Sequence, residues 1–297
     1  MNADTVYYIS QLVNGLCQGA VFALLAVGYS TINGVVGMVS FSYGDVMMVS
    51  AYAAFYVYTG ITANFIVSAL AAVAAGFIIG FLVYKICYER FLNAPRFIIM
   101  VCTLGFSTLL SNLAQLIFGR QAKPFLNVVP GNTFTFGPVS IRTTQILIMG
   151  TAVIFAILLT LIVKKTKLGV SLRAVSQNKE AAYLMGINVK QTIMLGSCIG
   201  YAVSGACGIL LAVYYQSVNT TMGSSVTLKA FTSSVLGGLT DVRLSALGGI
   251  CIGVIENLGI AVSSSSFRDI FTFAFLIIVL LIRPRGFGKN TGGGMGL

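Results

Sequence analysis

KKTKLGVSLRAVSQNKEAAYLMGINVK, residues Lys164–Lys190, is a long polar run in an otherwise apolar chain, and its reading decides the fold. It carries six of the eighteen Lys and Arg residues, and uncharged apolar segments long enough to cross a bilayer lie on both sides of it. The run is therefore expected to be a cytoplasmic loop held between two membrane spans.

Inside the run, Ser176 to Met185 reads as a short helix. Ser176 or Asn178 supplies the N-cap, Glu180 places a negative charge in the first turns, and Ala181, Ala182, Leu184 and Met185 are good helix formers. Gly186 supplies a left-handed stop with Ile187 as the anchor beyond it. The expected helix shows a small, Ala-rich face rimmed by charge, with Lys179 and Glu180 on the rim. That face suits a cleft on a soluble partner, and a solvated connector is the plainer alternative.

Working outward, the 297 residues are 57% hydrophobic and 8% charged, against roughly 25% charged in a soluble domain. The composition specifies an all-α, polytopic transmembrane helical bundle of about eight to nine spans, in one domain over residues 1–297 with the cytoplasmic loop at 164–190. The net charge of +11 does not indicate nucleic acid, because the basic residues collect between spans as orientation signals. The chain has no His, and its six Cys lie mostly in apolar runs without metal or disulfide spacing. No nucleophile–base pair and no metal site is legible, so the chain is expected not to be an enzyme. The N-terminus lacks the basic region and cleavage site of a signal peptide, so its first apolar run is expected to stay as a span.

Spans are expected at Tyr7 to about Val27, then two within Val46–Tyr84 with a turn near Tyr58–Asn64, then Phe97–Gly119 and Thr143–Val163. Further segments follow at Gln191 to about Tyr215, Val226–Leu236 (shorter), Leu244–Val262 and Phe267–Ile282. The Gly- and Ser-rich stretch from Gly28 to Asp45 is expected to be broken or re-entrant. The Pro- and Gly-containing stretch from Pro124 to Pro138 reads as an ordered external loop. Placing Lys85–Arg96, Lys164–Lys190, Gly237–Arg243 and the C-terminus on one side gathers thirteen of the eighteen basic residues there. That side is the cytoplasm, and the N-terminus falls outside provided Val226–Leu236 crosses fully. Arg268 and Asp269 must lie at the interface or be sheltered by protein. Gly15/Gly19, Gly76/Gly80, Gly196/Gly200 and Gly249/Gly253 have the spacing that lets helix backbones approach closely in lipid.

Two Gly-rich breaks, Gly34–Asp45 and Ser234–Arg243, offer positions where exposed backbone could meet a polar solute. Ser40, Ser42, Thr232 and Ser233 are the candidates to line a substrate pathway, against the alternative that both breaks are ordinary cytoplasmic turns. Glu256, with Asn257 beside it, is an ionisable residue inside a span, which is costly and implies a function or a partner. With no other acid in that span and no His for a relay, a structural role is favoured over one in transport.

The order of these features resembles the permease subunits of bacterial branched-chain amino-acid ABC importers, the LivH/LivM family, and LivH more closely. The pieces are NGLCQGAVFALLAVGYSTINGVVGMVSFSYGDVMM, PFLNVVPGNTFTFGPVSI, LRAVSQNKEAAYLMGINVKQTIMLGSCIGYAVSGACGIL, SSVLGGLTDVRLSALGGICIGVIENLG and the terminal RPRGFGK, which together cover nearly the whole chain. At SFSYGD the chain departs from the aromatic-Ala-His-Gly-acid run of the family. The resemblance implies an inner-membrane importer for branched-chain or similar amino acids. In it a second related permease (a heterodimer), two ATPase subunits that bind ATP and Mg, and an extracytoplasmic amino-acid-binding protein work with this chain. It also implies that Ser176–Gly186, Met185 included, is the helix seated on an ATPase, with Ala181, Ala182 and Gly186 at its small-residue positions. The chain itself has no GxxxxGK[ST] loop for ATP phosphates. Related cargo (a sugar, nucleoside or urea-type solute) and an ATP-independent secondary transporter are the alternatives.

Overall fold

The computed structural model describes residues 3–61, 63–92, 94–126, 128, 133–136, 139–239, 241–262 and 267–282. The chain opens with α1 (Ala3–Val36), turns through residues 37–42, and continues as α2 (Tyr43–Gly60) and α3 (Phe65–Val83). A π-helical turn (Tyr84–Tyr88) and a 3-10 turn (Glu89–Phe91) lead into α4 (Arg96–Phe118). Three short strands, β1 (Lys123–Pro124), β2 (Thr133–Phe136) and β3 (Val139–Arg142), precede α5 (Thr143–Lys165). The polar run folds as α6 (Lys167–Gln177) and α7 (Lys179–Leu184). Then come α8 (Val189–Tyr215), β4 (Ser217–Val218), α9 (Met222–Leu236), α10 (Val242–Val262) and α11 (Arg268–Ile282). The expected all-α polytopic bundle is what forms. Among the described residues six helices, α1, α3, α4, α5, α8 and α10, are individually long and apolar enough to cross a membrane, and α2, α9 and α11 are shorter.

Neighbouring side chains give each helix its direction. Ala72 of α3 lies against Gly205 of α8, Gly76 and Gly80 against Tyr201, and the Tyr84 hydroxyl donates to the Lys190 carbonyl at 3.1 Å, so α3 and α8 run antiparallel. Gly15 and Gly19 of α1 face Val254 and Ile250 of α10, and Ala23 faces Gly249, which makes that pair antiparallel too. α2 and α4 run side by side, with Phe41 near Thr103, Asp45 near Ser107 and Tyr52 stacked on Phe118 at 4.4 Å. α9 descends against α10, pairing Lys229 with Glu256 and Ser233 with Gly248. Because α9 carries the chain from the end of α8 to the start of α10, Val226–Leu236 does change sides. On the orientation expected from the basic loops, the start of α1 then falls on the side opposite to them.

The glycine pairs are packing positions. A Cβ on Gly19 would lie 3.0 Å from both the Cα and the carbonyl oxygen of Ile250, so the α1 and α10 backbones touch with no side chain between them. Two readings need correction. α1 does not end near Val27 but continues to Val36, since Gly28 packs against Val203 and the Gly200 carbonyl and so stays helical inside the bundle. The break is confined to 37–42, where Gly37 has φ +78° and its N–H donates to the Asn33 carbonyl at 2.8 Å. The external stretch is ordered as expected, with a β2–β3 hairpin and β1 paired antiparallel with β4. Its Pro130, Gly131, Gly137 and Pro138, like RPRGFGK, lie outside the described residues.

Candidate functional site

At the cytoplasmic end, the polar run holds two helices where one was expected. α6 was missed because its eleven residues are nearly neutral in hydropathy; only Leu172 and Val175 point inward with Gly169, and Leu172 fills the space beside Gly196. Thr166 caps α6 by accepting from the Gly169 N–H at 3.1 Å. Ser176 belongs to α6 and donates to the Arg173 carbonyl at 2.8 Å, so it is not the cap of α7. Asn178 is: its Oδ1 accepts from the N–H groups of Glu180 at 2.9 Å and Ala181 at 3.1 Å. Gly186 has φ +82° and donates to the Tyr183 carbonyl, while Ile187 donates to that of Ala182, both at 3.0 Å, which closes the helix as expected.

The exposed face of α7 is not the small one. Ala182 is buried at 4% exposure, whereas Tyr183, Leu184 and Met185 are 72%, 83% and 83% exposed. Ala181 and Glu180 are also exposed. The tip is therefore an apolar knob on a rigidly capped helix, fastened to the bundle where Lys179 Nζ donates to the Val36 carbonyl at the end of α1, at 3.1 Å. A lysine at a helix C-terminus also meets the negative end of its dipole.

Residues 37–42 do not stay at the inner surface. Ser204 donates to the Tyr43 carbonyl at 2.9 Å, and Ser204 stands fifteen residues into α8, about 22 Å from its start at 1.5 Å per residue. The segment thus returns into the bundle, as a re-entrant reading expects. Ser40 and Ser42 meet there, within hydrogen-bonding distance of the Tyr201 hydroxyl at 2.7 and 2.8 Å, and Tyr88 joins the same hydroxyl at 3.1 Å. All four side chains are buried. Thr232 and Ser233 do not join them. They lie within α9, buried, and donate to the Leu228 and Lys229 carbonyls one turn back. The second break keeps its turn character, with Gly238 at φ +88°, Leu239 at φ +64°, and Asp241 accepting from the Arg243 N–H at 3.0 Å at the start of α10.

Glu256 is fully buried and heavily engaged. Lys229 Nζ lies 2.9 Å from its Oε1 and 3.0 Å from Asp269, and Arg268 Nε lies 2.9 Å from the same Oε1. Gln18 donates to Glu256 at 3.1 Å and to Tyr215 at 3.0 Å, and Asn257 donates to Gln18 at 2.7 Å. Asn257 thus belongs to a polar cluster with Glu256; Arg268 joins it part-buried, whereas Asp269 pairs with Lys229 but stays 54% exposed. Lys229 was not singled out, although a lone cation inside Val226–Leu236 and a lone acid in the next span were a readable pair. Tyr201 and Tyr88 left no such signal, since a Tyr in an apolar span reads as packing. Among the described residues there is no group of three or more metal-ligating side chains.

The family model described as "Branched-chain amino acid transport system / permease component" matches residues 11–280. The high-affinity branched-chain amino acid transport system permease protein LivH of Salmonella typhimurium is 32% identical over 96% of this chain and 97% of its own. Its counterpart BraD of Pseudomonas aeruginosa is 34% identical over 95% and 96%. Among solved structures, PsaBC from Streptococcus pneumoniae in complex with Fab superposes with a TM-score of 0.53 over 92% of this chain and 91% of that one, at 16% identity, a likeness of fold. The family match across residues 11–280, with 32% and 34% identity to these permeases over almost the whole chain, places this multi-pass membrane protein in the family of branched-chain amino acid transport permease components.

Proposed function

We propose that this chain is one of two permease subunits of a bacterial inner-membrane ABC importer for branched-chain amino acids. ATPase subunits seated on α7 drive it, and an extracytoplasmic binding protein supplies it. The observation that carries the reading is the α7 knob. Three large apolar side chains, Tyr183, Leu184 and Met185, are exposed at the end of a polar run, on a helix that Asn178 and Gly186 fix at both ends. Exposed apolar surface of that kind calls for a protein partner on the cytoplasmic side.

In this reading the ATPases bind ATP and Mg, and this chain converts their closure into movement of α1 through the Lys179 contact with Val36. Ser176, Glu180 and Ala181 border the contact, and Ala182 anchors the helix from beneath. The Ser40, Ser42 and Tyr201 cluster holds the re-entrant turn at the foot of α2, while Thr232 and Ser233 brace α9. Glu256 and Asn257 tie α1, α9, α10 and α11 together and have a structural part.

The test is ATP-dependent uptake of radiolabelled leucine into proteoliposomes that contain this chain with its partner permease, ATPases and binding protein, each omitted in turn. Uptake that needs every component, and that unlabelled isoleucine or valine abolishes, is the expected result. Uptake without ATP sinks the reading. Leu184→Glu with Met185→Glu should keep the chain in the membrane and abolish ATPase co-purification.

A further inference from the structure

We infer that Asp45 is a cation-binding position at the foot of a polar stripe on α4, and that in transport it receives the α-ammonium group of the amino acid. The identity of that cation rests on the proposed function; the position and its charge do not.

Asp45 is 2% exposed, in the first turn of α2 directly above the re-entrant turn. The Ser107 hydroxyl of α4 donates to its Oδ2. On the other side α9 comes so close at Gly223 that a Cβ there would stand 3.1 Å from the Asp45 carboxyl carbon. Gly44 is fixed to the same helix by its N–H, which donates to Thr227 Oγ1 at 2.9 Å. The carboxylate is thus rigidly placed at membrane depth. Glu256 and Asp269 each have a cationic side chain within 3.0 Å, but among the described residues no Lys or Arg comes within ion-pair distance of Asp45. A carboxyl group in that position is costly to keep unless something outside the chain's own fold answers it.

Beside it a stripe of polar side chains runs along α4, flanked on its outer side by the exposed Leu109 and Leu113. Ser107, Ser111 and Gln115 recur every four residues on α4 and are part-exposed, and beside them Thr108 and Asn112 are exposed. Thr108 donates to the Leu104 carbonyl at 3.0 Å and Asn112 to that of Thr108 at 2.7 Å, which satisfies their donors locally but leaves a polar surface. α4 runs outward from Asp45, so this sector climbs from Ser107 to the extracytoplasmic end. An exposed polar sector at that depth fits water and a solute, not acyl chains. Ser107, the one side chain shown bonded to the carboxylate, is itself on the edge of the sector, so a small shift of α4 opens Asp45 to it.

The experiment uses the reconstituted complete transporter, with Thr108→Cys or Asn112→Cys in a chain whose six native cysteines are replaced. Reaction with the cationic trimethylammonium-ethyl methanethiosulfonate and the anionic sulfonatoethyl methanethiosulfonate is timed from the extracytoplasmic side, each rate normalised to a small free thiol. The expected preference for the cationic reagent is on the order of tenfold, falling to near parity with Asp45→Asn. Equal normalised rates with Asp45 intact overturn the site, as does failure of either reagent to reach the cysteines. Should Asp45→Asn not assemble, the ratio measured with Asp45 present still decides. Leucine uptake with equal reagent rates leaves the proposed function standing and removes this inference. A cationic preference in a transporter that does not take up leucine removes the ammonium as its ligand.

Discussion

α4 and α5 are both 23 residues long, and in the most apolar stretch of each only 17% of residues are buried, yet their mean hydropathies there are 1.8 and 2.9. α5 turns Val153, Ile154, Ile157, Leu158 and Leu161 outward and folds its hydroxyls back, Thr151 onto the Leu147 carbonyl at 2.8 Å and Thr160 onto that of Ala156 at 2.7 Å. α4 also turns Leu104, Leu109, Leu113 and Leu116 outward and folds the Thr108 hydroxyl back onto the Leu104 carbonyl, but it adds an exposed amide, Asn112, beside the part-exposed Ser107, Ser111 and Gln115. Equal exposure therefore covers two different surfaces. An apolar face suits acyl chains and a polar stripe does not, so α5 reads as a uniform lipid-facing wall and α4 as a wall with one polar side. Polarity at membrane depth is handled in this chain by internal pairing, at Glu256, and on α4 by a polar stripe beside an apolar one.

The largest expected effect marks the first of these. Glu256→Ala leaves Lys229 with Asp269 alone and should cost about 3–5 kcal/mol, read as loss of folded protein or a marked fall in thermal stability in detergent. Next is a direct contrast of the two walls. Ile154→Lys on α5 should lower membrane insertion by about 2.5–3.5 kcal/mol, whereas Thr108→Lys on α4 should insert almost normally and fail in uptake. Equal insertion defects would erase the distinction. Making α4 resemble α5 with Thr108→Leu and Asn112→Leu should leave expression unchanged and slow uptake roughly tenfold, about 1.4 kcal/mol in the barrier. The smallest effect lies outside both walls. Asn178→Ala removes the cap of α7 and should cost about 1 kcal/mol of local helix stability, seen as faster amide exchange at Glu180 and Ala181 with the spans unaffected.

Much of the bundle was legible because lipid imposes one rule on every span, a run of apolar residues closed by polar loops. The α2–α3 turn, the bounds of α4, α5 and α8, and the Gly186 stop all followed from it. Gly28 to Val36 misled because its glycine and hydroxyl residues suggest a break when read alone. They are helical here because α8 packs against them, Gly200 against Ile32, a tertiary cause that no local window contains. Ala182 was placed on the outer face of α7 because six residues of helix do not show which face meets the bundle, and it is Ala182 that turns inward. Of the pathway candidates, Ser40 and Ser42 fall on the re-entrant turn that the break in the helical pattern marks, while Thr232 and Ser233 fall within α9, where their hydroxyls bond the preceding turn. The polar sector of α4 was readable at the spacing of Ser107, Ser111 and Gln115, but a span that meets its length is easily passed over.

The seam between α1 and α10 has a mechanical consequence. Where Gly15 and Gly19 meet Gly249 and Gly253, backbone rests on backbone, and no rotamer is available to absorb relative motion. The two helices behave as a single stiff beam. Both of its inner ends terminate in glycine turns, at Gly37 and at Gly238, so the compliance of the beam is gathered at one surface of the membrane. Gln18 and Asn257 sit within the seam itself, so any displacement of the beam from that surface moves α1, α10 and the Glu256 cluster together.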